Sequence, residues 1–258
     1  MSYPCLVFGS FGDEKAASST KIGSLPLGTR MMLPDGRLFA HARASATALV
    51  AGYLYQGEAG GSDNIRNMAV QAAAAIGALQ VKLTLGATTA TTKDSFADGF
   101  LYVNDATGEG HNYKIKGNNA AAVSTTATFD LYENDGILVA LEAGTSEVGI
   151  RKSPFDKVLL KTADTVHVHS YAGVATRAVL ANYYCWLQRK GECAVFVDGT
   201  WLLGAGLVAS TTSACAGMLT PILANSANAE PELIEVLGRC ISVGSSTEYG
   251  LVELMLPF

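Results

Sequence analysis

The sequence predicts an all-β protein, built as short-strand β-sandwich or barrel modules with an extended N-terminal arm. Three observations carry this. Short apolar runs recur about every 10–15 residues with turn residues between them. The chain finishes as an alternating strand, with Leu251, Glu253 and Met255 interleaved with Val252, Leu254 and Leu256. And a single segment, residues 64–78, shows helical spacing, with Ile65, Met68, Ala72 and Ile76 on one face.

Taken in order, residues 1–26 are rich in Ser, Ala and Gly without sustained periodicity and read as an arm. Pro34-Asp35-Gly36 is a turn, because proline presets φ and glycine accepts positive φ. The alternating run 38–43 after it completes a hairpin. Residues 47–56 hold another short strand broken at Gly52, and 57–63 (GEAGGSD) a connector. Residues 64–78 are either a helix capped by Ser62 or Asp63, or an extended lead into the strand 80–85. Then come strands over 99–104, 112–116, 126–132, 137–141, 148–151 and 157–160. Asp105–Gly110 and Asn134-Asp135-Gly136 turn the chain between them. Near the C-terminus, Asp198-Gly199 sits between two apolar runs and predicts a type I′ hairpin over residues 193–203. The expected domains are 1–79 (arm, hairpin, connector), 80–165 (central β domain) and 166–258 (C-terminal barrel or sandwich).

Composition narrows the function. Charged residues are 16% of the chain against a usual ~25%, and hydrophobic residues are 49%. Either a partner covers part of the surface, or Ser and Thr supply the polarity of an Ala/Gly-rich β protein. A net charge of −5 without any Lys/Arg run argues against nucleic-acid binding. No stretch approaches ~20 apolar residues, so no transmembrane helix is expected, and no signal peptide is read at the start.

Candidate chemistry is thin. His167 and His169 lie two apart on one predicted strand face, but His41 and His111, the other histidines, are in distant segments. Asp105–Gly110 lacks EF-hand spacing, and turn chemistry explains it. Asp130, Glu133 and Asp135 cluster at a turn rather than as a separated acid/base pair. The cysteines at 5, 185, 193, 215 and 240 have neither zinc nor CxxC spacing and read as buried free thiols. Cys185 or Cys193 has no local base to make it a nucleophile. Trp186, Trp201, Tyr183 and Tyr184 belong to the core, to a subunit contact or to a carbohydrate platform. No catalytic residue, cofactor or metal site is therefore expected.

Three stretches together resemble structural proteins of tailed bacteriophages, in particular head decoration (cement) proteins. They are residues 27–45 (LGTRMMLPDGRLFAHARAS), residues 92–121 (TKDSFADGFLYVNDATGEGHNYKIKGNNAA) and a C-terminal pattern. That pattern contains Gly191, Val197-Asp198-Gly199-Thr200, Gly204, Leu207-Val208 and Leu237-Gly238-Arg239-Cys240, followed by a hydrophobic strand. The chain is larger than the small decoration proteins and has a central block that they lack. The resemblance implies a virion component made in the host cytoplasm and bound to the capsid exterior. It would be a homotrimer partnered by the major capsid protein, stabilising the shell by bridging capsomers, with residues 1–33 strapping a neighbour. Other expectations are a fibre or adhesin reading host glycans through the Trp/Tyr cluster, a major capsid or tail-tube subunit, and a β-rich hydrolase.

Overall fold

Eighteen strands are present among the residues that the computed structural model describes, which are 6–58, 65–163, 170–222, 235–246 and 248–257. They are β1 (Leu6–Phe8), β2 (Ala17–Ser18), β3 (Arg30–Met32), β4 (Leu38–Arg43), β5 (Leu54–Gln56), β6 (Met68–Ala72), β7 (Gln80–Thr84), β8 (Phe100–Asp105) and β9 (Asn112–Asn118). The second half adds β10 (Thr126–Leu131), β11 (Glu147–Arg151), β12 (Leu159–Leu160), β13 (Tyr171–Ala175), β14 (Tyr184–Phe196), β15 (Gly206–Ala209), β16 (Leu219–Pro221), β17 (Gly238–Ser242) and β18 (Tyr249–Met255). The protein is all-β. Two compact units stand where the sequence suggests three segments. One joins Met1–Glu58 to Pro154–Phe258, and the other is Ala59–Ser153 between them.

The inserted unit is a closed barrel in the order β10-β7-β6-β11-β8-β9. Closure removes the free sheet edges that would otherwise invite unwanted pairing. Alternation builds it. Val81 and Leu83 of β7, Tyr113 and Ile115 of β9, and Ala127, Phe129 and Leu131 of β10 point inward. Phe96 packs edge-on against Phe129 with centroids 5.9 Å apart. The helix alternative over residues 64–78 is not realised in its described part. Met68 and Val70 enter the core at a spacing of two, and Ala74 bridges Leu141. A helix face made mostly of alanine offers too little apolar surface to compete with two buried strand positions.

The larger unit is organised on β14. Its first half, from Tyr184 to Gln188, is flanked by β4 on one side and by β2 and β13 on the other. Both faces are covered, and Cys185, Trp186, Leu187, Gln188 and Arg189 are all buried. Its second half pairs antiparallel with β18, Lys190 opposite Met255 through Phe196 opposite Tyr249. There, burial alternates: Cys193 and Val195 face in, while Glu192 and Ala194 face out. The sheet continues β18-β17-β15-β16.

The β3–β4 hairpin forms as expected, with Met32 opposite Leu38 and the Gly36 amide on the Leu33 carbonyl. The Asp198-Gly199 hairpin does not. Gly199 has φ +78°, but Asp198 is not left-handed, so the two positive-φ positions of a type I′ turn are not supplied. The chain instead leaves β14 toward β16. Val197 bridges Leu219 in parallel, and the Asp198 amide donates to the Leu219 carbonyl at 2.9 Å. Seven residue pairs with β18 outweigh the local preference of one dipeptide. The described part of the expected arm, residues 6–33, lies along its own unit. There β1 pairs in parallel with β3, β2 pairs with β14, and Leu27, Met31 and Leu33 are buried.

Candidate interaction surfaces

The residues with the most chemistry are occupied by the fold. His41 is fully buried on β4 between Tyr184 and Trp186, at ring distances of 5.7 and 5.2 Å, with Nδ1 3.2 Å from the Pro26 carbonyl oxygen. His111 Nδ1 sits 3.0 Å from the Gly108 carbonyl oxygen at the end of the Asp105–Gly110 turn. His167, His169 and Cys5 lie outside the described residues. Among the described residues, no three His, Cys, Asp or Glu side chains converge as a metal site would require.

The three carboxylates at the Asn134-Asp135-Gly136 turn are spread over separate tasks. Asp130 accepts from Gln80 Nε2 at 2.8 Å across β10 and β7. Glu133 pairs with Lys116 at 3.3 Å, and that lysine holds its carboxyl below the usual range. Asp135 caps the Lys114 amide. A fourth carboxylate was not singled out from the sequence. Asp98 is fully buried and accepts from the Tyr132 hydroxyl at 2.6 Å, while Lys114 Nζ donates to the Asp98 backbone carbonyl at 2.5 Å. Asp98 has φ +59°, a left-handed conformation that Asp adopts more readily than most residues. This network pins the loop before β8.

Both tryptophans are buried, which removes them as a surface carbohydrate platform. Trp186 is 4% exposed in a cluster with Met31, Leu33 and Phe39. Trp201 is 2% exposed, and its Nε1 donates to the Leu219 carbonyl at 3.3 Å. A different aromatic row reaches the surface. Tyr53 stacks on Phe196 at 5.2 Å, and Phe196 meets Tyr249 edge-on at 5.1 Å.

Burial pushes the Cys185 and Cys193 thiols up to about 12 and Tyr171 well above the usual phenol range. These acids stay neutral in the folded chain but ionise from about pH 9 upward once unfolded. Their stabilisation is complete below that pH and is lost as pH rises toward 12. Each thiol then removes up to ~1.4 kcal/mol per pH unit over that window. We expect the unfolding midpoint in urea to hold to pH 8.5 and to fall steeply by pH 10.5. Brief native alkylation followed by mass spectrometry should leave Cys185 and Cys193 unmodified. Cys215, half-exposed, is the described thiol placed to react, slowed because its hydrogen bond to Asp198 raises its pKa.

What remains is surface. An open groove of about 960 Å³ lies where the β3–β4 turn meets β14 and β18, lined by Asp35, Arg37, Lys190, Glu192, Glu253 and Met255. Arg37 Nε donates to Asp35 at 2.7 Å. Across the strands, Glu192 faces Glu253 directly, and Arg239 of β17 faces Glu253 from the other side. The groove presents both signs of charge without a nucleophile–base pair. Elsewhere, large apolar side chains stand exposed in groups. Leu202 and Leu203 are 71% and 70% exposed on the turn behind buried Trp201, and Phe8 at the end of β1 and Phe11 just after it are exposed. In the barrel unit, Ile76, Leu79 and Leu138 are exposed. The sequence patterns put Ile76 on a possible helix face, Leu138 in a strand and Leu202-Leu203 in a hairpin, without marking any of them as exposed. The available signal was a Leu-Leu pair between turn glycines, and apolar runs at 72–79 and 136–141 that do not alternate with polar residues. Comparison of the chain with protein-family models, curated proteins and solved structures finds no match.

Proposed function

We propose that this chain is a structural virion protein that decorates and stabilises the outer surface of a tailed-phage capsid by bridging capsomers. Its partners are then the major capsid protein and further copies of itself, as a homotrimer. The observation that carries the reading is the grouped exposure of large apolar side chains on hydrogen-bonded turns of both units, in a chain with 16% charged residues. Exposed apolar groups of this kind mark contact surfaces. The resemblance over residues 27–45, 92–121 and the C-terminal pattern supplies the partner class. An assembly protein of this kind works by multivalency, with modest contacts becoming strong when several linked copies hold one lattice. Because residues 6–33 pair within their own unit, capsid contact falls to these exposed groups rather than to a free strap.

Cryo-electron microscopy of purified particles tests this. The chain is expected on the head exterior in copy number comparable to the capsid protein, and particles lacking it should release DNA at lower temperature. Recovery with tails alone, or absence from particles, would sink the reading.

A further inference from the structure

We infer that Asp198-Gly199 is a self-modification site, at which the backbone rearranges spontaneously to isoaspartate. An aspartate carboxyl carbon can close a five-membered ring with the amide nitrogen of the next residue. Closure is easiest where that residue is glycine, because no Cβ stands in the way. Four Asp-Gly pairs occur in the chain, at 35–36, 98–99, 135–136 and 198–199. The fold protects the first three and leaves the last open to the reaction.

The nucleophile is the glycine amide, so its hydrogen bonding decides first. The Gly36 amide donates to the Leu33 carbonyl at 2.9 Å, and Arg37 holds both oxygens of the Asp35 carboxylate. The Gly99 amide donates to the Phe96 carbonyl at 3.0 Å, and Asp98 is fully buried. The Gly136 amide has no such bond among the described residues, but its peptide is wedged in place. A Cβ on Gly136 would stand 2.9 Å from the Gly77 carbonyl oxygen, and the Ile137 amide after it is tied to the Ala78 carbonyl. The Gly199 amide likewise has no partner among the described residues, nor do the backbone amides of residues 200–203. Here a Cβ would meet nothing within 4 Å. The Asp198–Gly199 peptide therefore has room to rotate into the ring, up to the next anchor, the Gly204 amide on the Cys240 carbonyl.

The electrophile is prepared as well. Fully buried Ser210 donates its hydroxyl to Asp198 Oδ2 at 2.5 Å, and the same hydroxyl oxygen accepts from the Thr212 amide at 3.1 Å. That acceptance turns the hydroxyl proton toward the carboxyl. A fixed donor on this oxygen stabilises the negative charge that builds there as the nitrogen attacks. In the reaction, the Gly199 nitrogen loses its proton to solvent and bonds to Asp198 Cγ. One carboxyl oxygen takes up solvent protons and leaves as water, which closes the imide. Water then adds to either imide carbonyl. Breaking the new Cγ–N bond restores aspartate, whereas breaking the bond from the nitrogen to the main-chain carbonyl carbon leaves isoaspartate. The product carries one extra backbone carbon between Val197, bridged to Leu219, and buried Trp201.

Ageing the purified full chain in warm neutral buffer, followed by tryptic peptide mapping, tests this. The four pairs fall on separate tryptic peptides, 31–37, 94–114, 117–151 and 191–239. Isoaspartate has the mass of aspartate but elutes separately and resists cleavage by endoproteinase Asp-N. It should accumulate in 191–239 about tenfold faster than in 31–37 and 94–114, the ratio that one hydrogen bond on the attacking amide imposes. It should also outpace 117–151. In urea, where the fold no longer distinguishes them, the four rates should converge. Ser210→Ala should slow the native reaction at Asp198 about tenfold. A native chain in which Asp198 does not lead overturns the inference, as does a lead that persists unchanged in urea. An unchanged rate in Ser210→Ala overturns the part given to the hydroxyl. The comparison of native with denatured wild-type chain holds even if that variant fails to fold.

Discussion

Replacing Trp201 with alanine is expected to destabilise the larger unit by about 4 kcal/mol, the largest single effect we foresee. The indole is 2% exposed among Val195, Val197, Leu207 and Leu219, and its N–H donates to the Leu219 carbonyl. It lies so close to β18 that a Cβ on Gly250 would stand 2.6 Å from the ring. Truncation therefore opens a cavity at the junction of β14, β16 and β18 and removes one of the two hydrogen bonds that the Leu219 carbonyl accepts, leaving the one from the Asp198 amide. Trp201→Phe keeps most of the volume and should cost only ~1–2 kcal/mol for the lost hydrogen bond. The readout is convenient. Both tryptophans of the chain belong to this unit, so in the variant Trp186 fluorescence reports urea unfolding of the larger unit alone. An unchanged midpoint would show that the indole is not packed as described. The experiment also bears on the glycan expectation, since loss of binding in this variant would follow from unfolding and not from loss of a sugar platform.

Arg189→Ala should come next, at about 3 kcal/mol. Arg189 is 4% exposed, at the point where β14 passes from its β4 pairing to its β18 pairing. Its Nη1 donates to the carbonyls of Tyr171 at 2.5 Å and Ala172 at 2.8 Å, its Nη2 donates to the Pro257 carbonyl, and the guanidinium lies over Phe155 at 5.5 Å. Burial, with the nearby Arg30 cation, lowers its pKa to about 10, which leaves it charged at neutral pH. One planar fork thus ties β13 and the chain's last residues to the central strand. Arg189→Lys keeps the charge but cannot reach three carbonyls from one nitrogen in the same geometry, so it should recover less than half of the loss. Hydrogen exchange should show faster opening near residues 254–257 in both variants. Full recovery by lysine would mean that charge, not the fork, does the holding.

Much of the fold was legible because β patterns are local where one face is wet. The barrel strands β7 to β10 alternate cleanly, and the β3–β4 and β8–β9 hairpins carry turn residues at the right offsets. Residues 64–78 were ambiguous for a physical reason. Alanine is equally at home in a helix and on a covered ladder, and the neighbours that settle it, Leu141 and Ile137, lie some sixty residues away. Asp98 was invisible because nothing near it in the chain announces that Tyr132 and Lys114 converge on it.

The sequence by itself determined that the protein is all-β, where most of its strands lie, and that its C-terminal strand is half-buried. Those features follow from alternation and turn chemistry acting over a few residues. Tertiary structure alone decided that residues 1–58 and 154–258 form one unit while the stretch between them in the sequence forms a barrel of its own, and that β14 pairs with β18 rather than folding back through Asp198-Gly199. It also decided that Trp186 and Trp201 are interior while Ile76, Leu138, Leu202 and Leu203 are not. In each case the outcome depends on which distant strand covers a given face, and a long ladder of backbone hydrogen bonds with apolar burial outweighs the preference of any two-residue turn.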